Sequence, residues 1–404
     1  KEAVIMATER RQQKGAQPRP AGGSLRSRIA PFLAMEVFKE AAGLAAQGRR
    51  IIRMEAGEPS MPVPRSVRET AIAALNAGRI GYTQSLGLPS LRARIARHYQ
   101  EIYGVSVPAE RVAVTTGSSG GFVLAFLALF DPGARVAIAA PGYPAYRNIL
   151  EAIGVEVVTL TTSARDRHVV TAAMIEAAHA QRPLDGVLLM SPANPSGTMM
   201  SAATLREICE VCARLDIAFV SDEIYHGLTY GEPAQTALAF GDHPVVVNSF
   251  SKYYCMTGWR VGWLVLPEEL VRPVERLAQN FAISPPTLSQ IAAEAAFDAR
   301  DELEAIKAGY AKNRALLMEE LPRIGLGDFH PVDGAFYVFA DVSRFTNDSL
   351  DFCKRMLNEA GVAATPGVDF DREHGSSAVR FSFAGSHEDV VEGVKRLRDW
   401  LPRA

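Results

Sequence analysis

The sequence predicts an α/β protein with two parts, a three-layer α/β/α large domain built on a mostly parallel sheet and a smaller discontinuous α+β domain. Short apolar runs rich in β-branched residues alternate with helical stretches between residues 111 and 266. This alternation is typical of a parallel sheet that helices cover on both faces. After residue 300 the pattern changes to helices alternating with two strands, and the 404 residues are enough for two or three domains.

The N-terminal segment 1–24 is predicted to be a mobile tail, because it is rich in Gln, Arg, Pro and Gly and poor in large apolar residues. Residues 1–30 hold seven Lys and Arg against two Glu, although the whole chain has a net charge of −2. An Arg-rich start is also typical of a transit peptide, but the glutamates and the lack of an amphipathic pattern favour a solvated tail.

The remaining elements follow in order. An amphipathic helix at 31–48 belongs to the first part of the small domain (25–58), and amphipathic helices at 64–78 and 89–104 begin the large domain (59–300). Seven apolar runs predict the strands of the large sheet: 111–116, 134–140, 155–161, 185–191, 217–222, 244–250 and 260–266. The second part of the small domain (301–404) has helix 301–321, strand 335–342, helix 348–360, strand 378–385 and a final helix.

Composition excludes several classes of protein. The near-neutral charge argues against a nucleic-acid binder, and no apolar run is long enough for a membrane span, the longest being residues 121–130. Four cysteines are too few for a disulfide scaffold and suit a reducing cytoplasm. Cys209 and Cys212 form a C-x-x-C pair, but no second pair accompanies it and the surrounding pattern is helical. We therefore expect buried helix packing there, rather than a zinc or redox site, and no metal.

Polar residues gather where the predicted strands end. A turn of small residues (116–121) follows the first strand and leads into an apolar helix, an arrangement that suits a phosphate but also a plain tight turn. Later strand ends carry these residues: Tyr143, Asn194, Asp222, Tyr225, Ser249, Ser251, Lys252 and Arg260. Each has an ordinary explanation as a cap, turn or surface residue. Because ligands bind at the carboxyl ends of the strands in doubly wound sheets, the set together indicates a binding site.

These motifs, in this order, resemble the class I/II aminotransferases, which belong to the fold-type I enzymes of pyridoxal 5'-phosphate (PLP). The similarity runs from about residue 57 to residue 380. Its markers are GEP (57–59), YTQSLGLPSLR (82–92), TGSSGG (116–121), PANPSG (192–197), SDEIY (221–225), SFSK with GWRVGW (249–263) and VRFSFA (379–384). The lysine segment and SDEIY are the more specific of these.

The resemblance implies roles for the residues at the strand ends. Lys252 would form the internal aldimine with PLP and then move protons. Asp222 would face the pyridine nitrogen and keep it protonated. Tyr225 and Asn194 would hydrogen-bond the phenolate oxygen of the cofactor, and Tyr143 would stack on its ring. The phosphate would be held by Ser118, Ser119, Ser249 and Arg260, with Ser251 as an addition.

The resemblance also implies a substrate site and a partner. Arg380 would bind the substrate α-carboxylate, since its guanidinium fork matches a carboxylate, and Gly57 and Asn194 would contact the substrate as well. Tyr82 would reach the phosphate of a neighbouring subunit, which implies a homodimer with shared active sites. The small domain would then close over the substrate.

The implied reaction is ping-pong transfer of an amino group from an L-amino acid to a 2-oxo acid through the Lys252 aldimine. GEPSMPVP differs from the familiar GEPDFDTP at Ser60 and Met61, and Gln279 stands near the position of a distal-carboxylate arginine in dicarboxylate-specific relatives. The first difference alters the loop on the substrate side, and the glutamine favours a neutral or aromatic donor. Two alternatives share the markers: a C–S β-lyase on the same fold, and a PLP-binding transcriptional regulator. The regulator would need a helix-turn-helix domain, for which the N-terminal tail is too short.

Overall fold

The computed structural model describes residues 23–327 and 329–403. Of the predicted mobile tail, residues 1–22 lie outside the described residues, so that prediction is not tested. The first regular elements are helix α1 (Leu33–Ala46) and the two-residue strand β1 (Ile52–Arg53). Helix α1 buries little apolar surface, since its buried residues are Ala34, Val37 and Ala41.

The middle of the chain folds around one large sheet. Its elements are α2 (Arg65–Ala77), α3 (Pro89–Tyr103), β2 (Val112–Thr115), α4 (Gly117–Leu129), β3 (Arg135–Ala140), α5 (Pro144–Ile153), β4 (Glu156–Thr161), α6 (Ala172–Gln181), β5 (Gly186–Met190), α7 (Ala202–Arg214), β6 (Ala218–Asp222), β7 (Val245–Ser249), β8 (Gly262–Val265), α8 (Glu268–Phe281) and α9 (Thr287–Glu294). Each predicted strand is present, within one or two residues of its expected bounds.

The large sheet is mostly parallel, as predicted. In the described part of the chain it has seven strands in the order β2-β8-β7-β6-β5-β3-β4. Strands β3, β4, β5, β6 and β7 pair in parallel, while β8 is antiparallel to both β2 and β7. Every residue of β2, β7 and β8 is buried, because helices cover both faces. These layers confirm the predicted α/β/α architecture.

The helices on the two faces enclose separate apolar clusters. One cluster contains Leu91, Tyr99, Ile208 and Trp263, and the other contains Phe126 with residues from α5 and α8. Cys209 and Cys212 are fully buried within the first cluster, which confirms the expected helix packing. All four cysteines lie in the described part of the chain and are free. No helix of the described residues is long and apolar enough to cross a membrane.

The C-terminal part begins with the long helix α10 (Arg300–Arg323) and continues with β9 (Tyr337–Asp341), α11 (Ser349–Arg355), β10 (Val362–Ala363), β11 (Thr365–Pro366), β12 (Ala378–Ser382) and α12 (His387–Trp400). A π-helical turn (Met356–Ala360) completes the predicted helix 348–360. Strands β11, β12 and β9 form an antiparallel sheet, and β1 pairs in parallel with β10. This pairing joins residues 52–53 to the C-terminal part and leads the chain from β1 directly to Gly57.

Candidate active site

A cleft of about 500 Å³ opens at the carboxyl ends of the large sheet, between the sheet and the C-terminal part. Ten of the twelve predicted site residues line it: Gly57, Ser118, Ser119, Tyr143, Asn194, Asp222, Tyr225, Lys252, Arg260 and Arg380. Ser251 lines it as well, whereas Ser249 and Tyr82 are not among the described lining residues. Residues separated by more than 300 positions in sequence therefore meet in one site.

Lys252 lies just beyond the end of β7 with its amine inside the cleft. The amine donates a hydrogen bond to the carbonyl of Gly57, and its nitrogen lies 6.0 Å from the centre of the Tyr225 ring. Burial, reinforced by the charge of Arg380, lowers the pKa of Lys252 to about 8. A sizeable fraction of the amine is therefore neutral near physiological pH, the form that attacks carbonyl carbon.

Asp222 ends β6 and is almost fully buried. Its carboxylate accepts a hydrogen bond from the Tyr146 hydroxyl, and another at 3.0 Å from the backbone N–H of Ile224. Burial raises the pKa of Asp222 to about 7, although both hydrogen bonds and the charge of Lys252 oppose the rise. A carboxyl poised in this way holds or releases a proton with a small change in its surroundings.

Tyr146 was not predicted as a site residue. It lies one helical turn after Tyr143 at the start of α5, and the two rings are 5.2 Å apart. The three-residue spacing of two tyrosines at a helix start was the available signal, because such side chains lie on one face of a helix.

Arg380 points from β12 into the cleft and is only 2% exposed. Its guanidinium donates to the Asn194 side-chain oxygen at 2.9 Å, and to the Glu55 carbonyl at 2.6 Å and the Thr365 hydroxyl at 3.1 Å. The guanidinium carbon lies 4.3 Å from the centre of the Tyr337 ring. Its Nε–H has no partner among the described residues. Three of the five guanidinium N–H groups therefore have partners within the described part of the chain, and the buried charge keeps two donors unused, which suits binding of an anion.

Tyr225 and Tyr337 form a pair of buried hydroxyls 2.7 Å apart. Burial raises the pKa of both phenols above the ordinary value, so both stay protonated. One hydroxyl donates to the other, which leaves one O–H free to donate to a ligand. Tyr337 was missed because it lies in an apolar strand, where a tyrosine resembles any core residue. A Cβ atom at Gly57 would clash with the Tyr337 hydroxyl.

The start of α4 and Arg260 form a cradle for an anion. The Thr116 side chain at the head of α4 makes no capping bond, so the first backbone N–H groups are free to bind a ligand. Gly117 has a φ of +67°, and a Cβ atom there would collide with the Arg260 guanidinium. Arg260 donates to the Thr257 carbonyl at 2.9 Å, which holds it beside the helix.

Ser249 and Ser251 are linked to each other at the end of β7. The Ser249 hydroxyl donates to the Ser251 hydroxyl at 2.9 Å, and Ser251 is the one of the two among the described lining residues of the cleft. Ser249 also lies 3.1 Å from the Val261 carbonyl. The phosphate role of Ser249, with Ser251 as an addition, stays a prediction.

Tyr82 lies on the protein surface and is 82% exposed. Other large apolar side chains are exposed on α2, in the segment after it and near the end of α8: Ile72, Leu75, Ile80, Phe281 and Ile283. Thr287 connects these segments by donating a hydrogen bond to the Gly81 carbonyl. We call these five residues and Tyr82 the exposed apolar patch, because hydrogen bonds from Thr287 to Gly81 and from Thr83 to Ser284 hold their segments side by side.

A doubly wound sheet with a buried lysine, a buried aspartate, an anion cradle and a buried arginine at its strand ends is the arrangement of an enzyme whose lysine amine reacts with carbonyl groups of an anionic ligand. The family model "Aminotransferase class I and II" matches residues 49–397. The chain therefore belongs to the class I and II aminotransferase family, and it is an enzyme that transfers amino groups.

Individual relatives agree with this assignment. The chain is 49% identical over 383 residues to a valine–pyruvate aminotransferase of Mycobacterium tuberculosis, covering 94% of this chain and 98% of that one. The crystal structure of an aminotransferase from Mycobacterium tuberculosis superimposes with a TM-score of 0.92 at 48% identity, over 95% of this chain and 100% of that chain. The aspartate aminotransferase of Thermus thermophilus with maleate has a TM-score of 0.88 at 30% identity, over 94% and 100%.

Proposed function

We propose that the protein is a PLP-dependent aminotransferase that moves the amino group of a neutral L-amino acid to a 2-oxo acid by a ping-pong route. The observation that carries the proposal is the pairing, across one cleft, of Lys252, whose pKa is about 8, with the buried carboxyl of Asp222. A nucleophilic amine and a proton-holding carboxyl are what PLP chemistry requires of its protein.

The residues of the cleft fit this cofactor. When bound, PLP supplies an aldehyde that captures amines and a ring that withdraws electrons from the substrate Cα. The cradle formed by Ser118, Ser119 and Arg260 would bind its phosphate, with Ser251 below. Tyr143 would cover the ring, and Asp222 would keep the proton on the ring nitrogen. The free O–H of the Tyr225–Tyr337 pair and the side chain of Asn194 would bind the phenolic oxygen.

Lys252 and Arg380 would act directly on the substrate. The neutral amine of Lys252 would take the proton from the substrate Cα and then donate it to the cofactor. Arg380 would bind the α-carboxylate, which fixes the Cα above Lys252 and excludes water from the buried guanidinium. Tyr337 restrains the Arg380 plane from below.

An apolar part of the cleft lining supports a neutral donor. It is formed by Phe32, Ala34, Met35 and Phe38 at the start of α1. The cationic residues of the described cleft lining are Lys252, Arg260 and Arg380, and the proposal gives each a role other than binding a distal carboxylate. The Mycobacterium tuberculosis relative carries the name valine–pyruvate aminotransferase, so valine and pyruvate are the first substrate pair to test.

We also propose the domain division into a small domain (25–58 and 301–404) and a large domain (59–300), and a homodimer with shared active sites. The dimer proposal is supported by the exposed apolar patch, which contains Tyr82. Burial of this patch against a second copy would bring Tyr82 to the partner's phosphate cradle. A cytoplasmic location stays a prediction from the cysteine content.

The test is a coupled assay with valine and pyruvate. Transfer produces alanine and 3-methyl-2-oxobutanoate in equal amounts, with parallel double-reciprocal plots for a ping-pong route. A β-eliminating lyase, the alternative on this fold, would instead release ammonia from a single amino acid without an acceptor. The relatives named above are aminotransferases, which favours transfer. Absence of alanine formation with every neutral donor would overturn the proposal.

A further inference from the structure

The first turn of α1 is capped by a residue from the other end of the chain. The backbone N–H groups of Leu33 and Ala34 donate to the two carboxylate oxygens of Asp369, each at 3.0 Å. The residue that precedes the helix, Phe32, makes no capping bond of its own. A helix N-terminus has unpaired N–H groups and a positive partial charge, and a carboxylate satisfies both.

Besides the Asp369 cap, the start of α1 is held by two apolar contacts: Ala34 is buried, and the Phe32 ring packs edge-on against Tyr143 at 5.7 Å. In the apolar cluster beneath α1, Val37 and Ala41 pack with Leu357 and Ala363. Both α1 residues follow the first turn of the helix. The side chain of Met35 in the first turn is 55% exposed. Removal of the cap would therefore loosen the end of α1 that borders the cleft.

The segment that carries Asp369 also contacts the carboxylate-binding arginine. The Thr365 hydroxyl accepts a hydrogen bond from Arg380 at 3.1 Å, and the Phe370 ring centre lies 4.8 Å from the Arg380 guanidinium. The Phe370 carbonyl accepts the N–H of Gly142 at 3.0 Å, next to Tyr143. Residues 365–370 therefore contact three parts of the cleft, namely the start of α1, Arg380 and the segment next to Tyr143.

We propose that Asp369 is a positioning residue for substrate specificity, which holds the α1 wall at a fixed distance from Arg380 and so sets the room for the donor side chain. The inference rests on the proposed function, because it assigns Arg380 to the α-carboxylate. A branched donor side chain needs apolar room in the cleft, which Phe32 and Met35 of its lining would supply, whereas the methyl group of alanine needs little. Asp369 therefore discriminates between donors without touching either of them.

The test compares Asp369→Ala with the wild-type holoenzyme, using valine and alanine as donors and 2-oxobutanoate as the common acceptor, because transfer from alanine to pyruvate gives no net reaction. Loss of an aspartate cap changes an equilibrium by about fivefold, within a range of roughly two- to thirtyfold. We expect kcat/KM for valine to fall by about this factor through KM, with kcat nearly unchanged, and kcat/KM for alanine to change by less than about twofold. Met35→Ala should reproduce the loss for valine.

A second readout does not depend on activity. In hydrogen exchange on the cofactor-free protein, the amides of Leu33 and Ala34 should exchange faster in Asp369→Ala, while the second half of α1 stays protected. Asp369→Asn keeps one acceptor oxygen and should give an intermediate result, which also serves if the alanine variant folds poorly.

Asp348→Ala is the matched control. Asp348 accepts the N–H groups of Leu350 and Asp351 at 3.1 and 3.0 Å at the start of α11, so it is also an aspartate cap, but it does not line the cleft. Its loss should leave the ratio of valine to alanine activity unchanged. Equal losses for both donors, or a loss confined to kcat, would overturn the role of Asp369. If the wild-type protein transferred an amino group to pyruvate from none of the neutral amino acids, the proposed function itself would be refuted.

Discussion

Replacement of Tyr146 by phenylalanine isolates one hydrogen bond of the cofactor site. The ring packs edge-on against Phe122 at 5.1 Å and against Tyr143 at 5.2 Å, and phenylalanine keeps both contacts. What Tyr146→Phe removes is the hydroxyl that donates to the carboxylate of Asp222. That bond favours the ionised carboxylate, so its loss raises the pKa of Asp222 above the present value of about 7.

The size of the effect follows from the energy of a hydrogen bond to a charged group. Such a bond contributes about 1.5–3 kcal/mol, and about 1.4 kcal/mol corresponds to one pH unit. The pKa of Asp222 should therefore rise by about one to two pH units. At pH 7.5 most wild-type molecules have the ionised carboxylate that pairs with a protonated ring nitrogen, whereas only about a tenth of the variant molecules would have it.

The assay is a titration of cofactor-free protein with pyridoxamine 5'-phosphate, which cannot attach covalently to Lys252. We expect Tyr146→Phe to weaken binding by about tenfold at pH 7.5 and by less than about twofold at pH 9. Tyr230→Phe is the control, because it removes a hydrogen bond of 2.7 Å to the Ala335 carbonyl, away from Asp222. Unchanged affinity at pH 7.5, or a loss independent of pH, would refute the role given to Tyr146.

Three further predictions concern the substrate, the buried charge and the partner. Arg380→Lys should raise KM for the donor by about tenfold or more, because an ammonium cannot bind a carboxylate through two parallel bonds; an unchanged KM would remove Arg380 from the carboxylate site. In the cofactor-free protein, burial raises the pKa of Asp222 to about 7, so the folded state binds the extra proton and loses stability as the pH rises from about 4 to 7. Asp222→Asn should therefore increase the free energy of unfolding at pH 8 but not at pH 4, measured by urea denaturation, whereas equal effects at both values would contradict the raised pKa. The proposed homodimer predicts that the wild-type protein sediments as a dimer and that Leu75→Asp shifts it towards monomer, since Leu75 is 56% exposed within the apolar patch; a monomeric wild-type protein, or a variant that stays dimeric, would contradict the patch as the interface.

The large sheet was predictable because its strands are continuous apolar runs, which leave few other structures open. The same property made the site predictable, since polar residues such as Asp222 and Lys252 stand out at the ends of apolar strands. The two-residue strands β1, β10 and β11 were not predicted, because two residues show no periodicity.

The contacts of Tyr146, Tyr337 and Asp369 could not be predicted from the sequence, and the physical reason is the same for all three. Tyr146 lies in an amphipathic helix and Tyr337 in a strand, and their hydroxyls acquire partners only when separate strands and helices meet. Asp369 caps a helix more than 300 residues away in sequence, and no local pattern encodes such a contact. Ser249 and Ser251 differ in orientation, which depends on the backbone of one turn rather than on residue type.

The measurement that tests the account most directly is the position of covalent cofactor attachment. Reduction of the PLP-loaded protein with borohydride, followed by digestion and mass spectrometry, should place one phosphopyridoxyl group on Lys252, and Lys252→Ala should lose both the adduct and the transfer of amino groups to pyruvate. Lys307→Ala, which alters a lysine paired with Glu304 outside the cleft, should keep both. The same adduct on another lysine of the wild-type protein, or full activity of Lys252→Ala, would contradict the central role of Lys252.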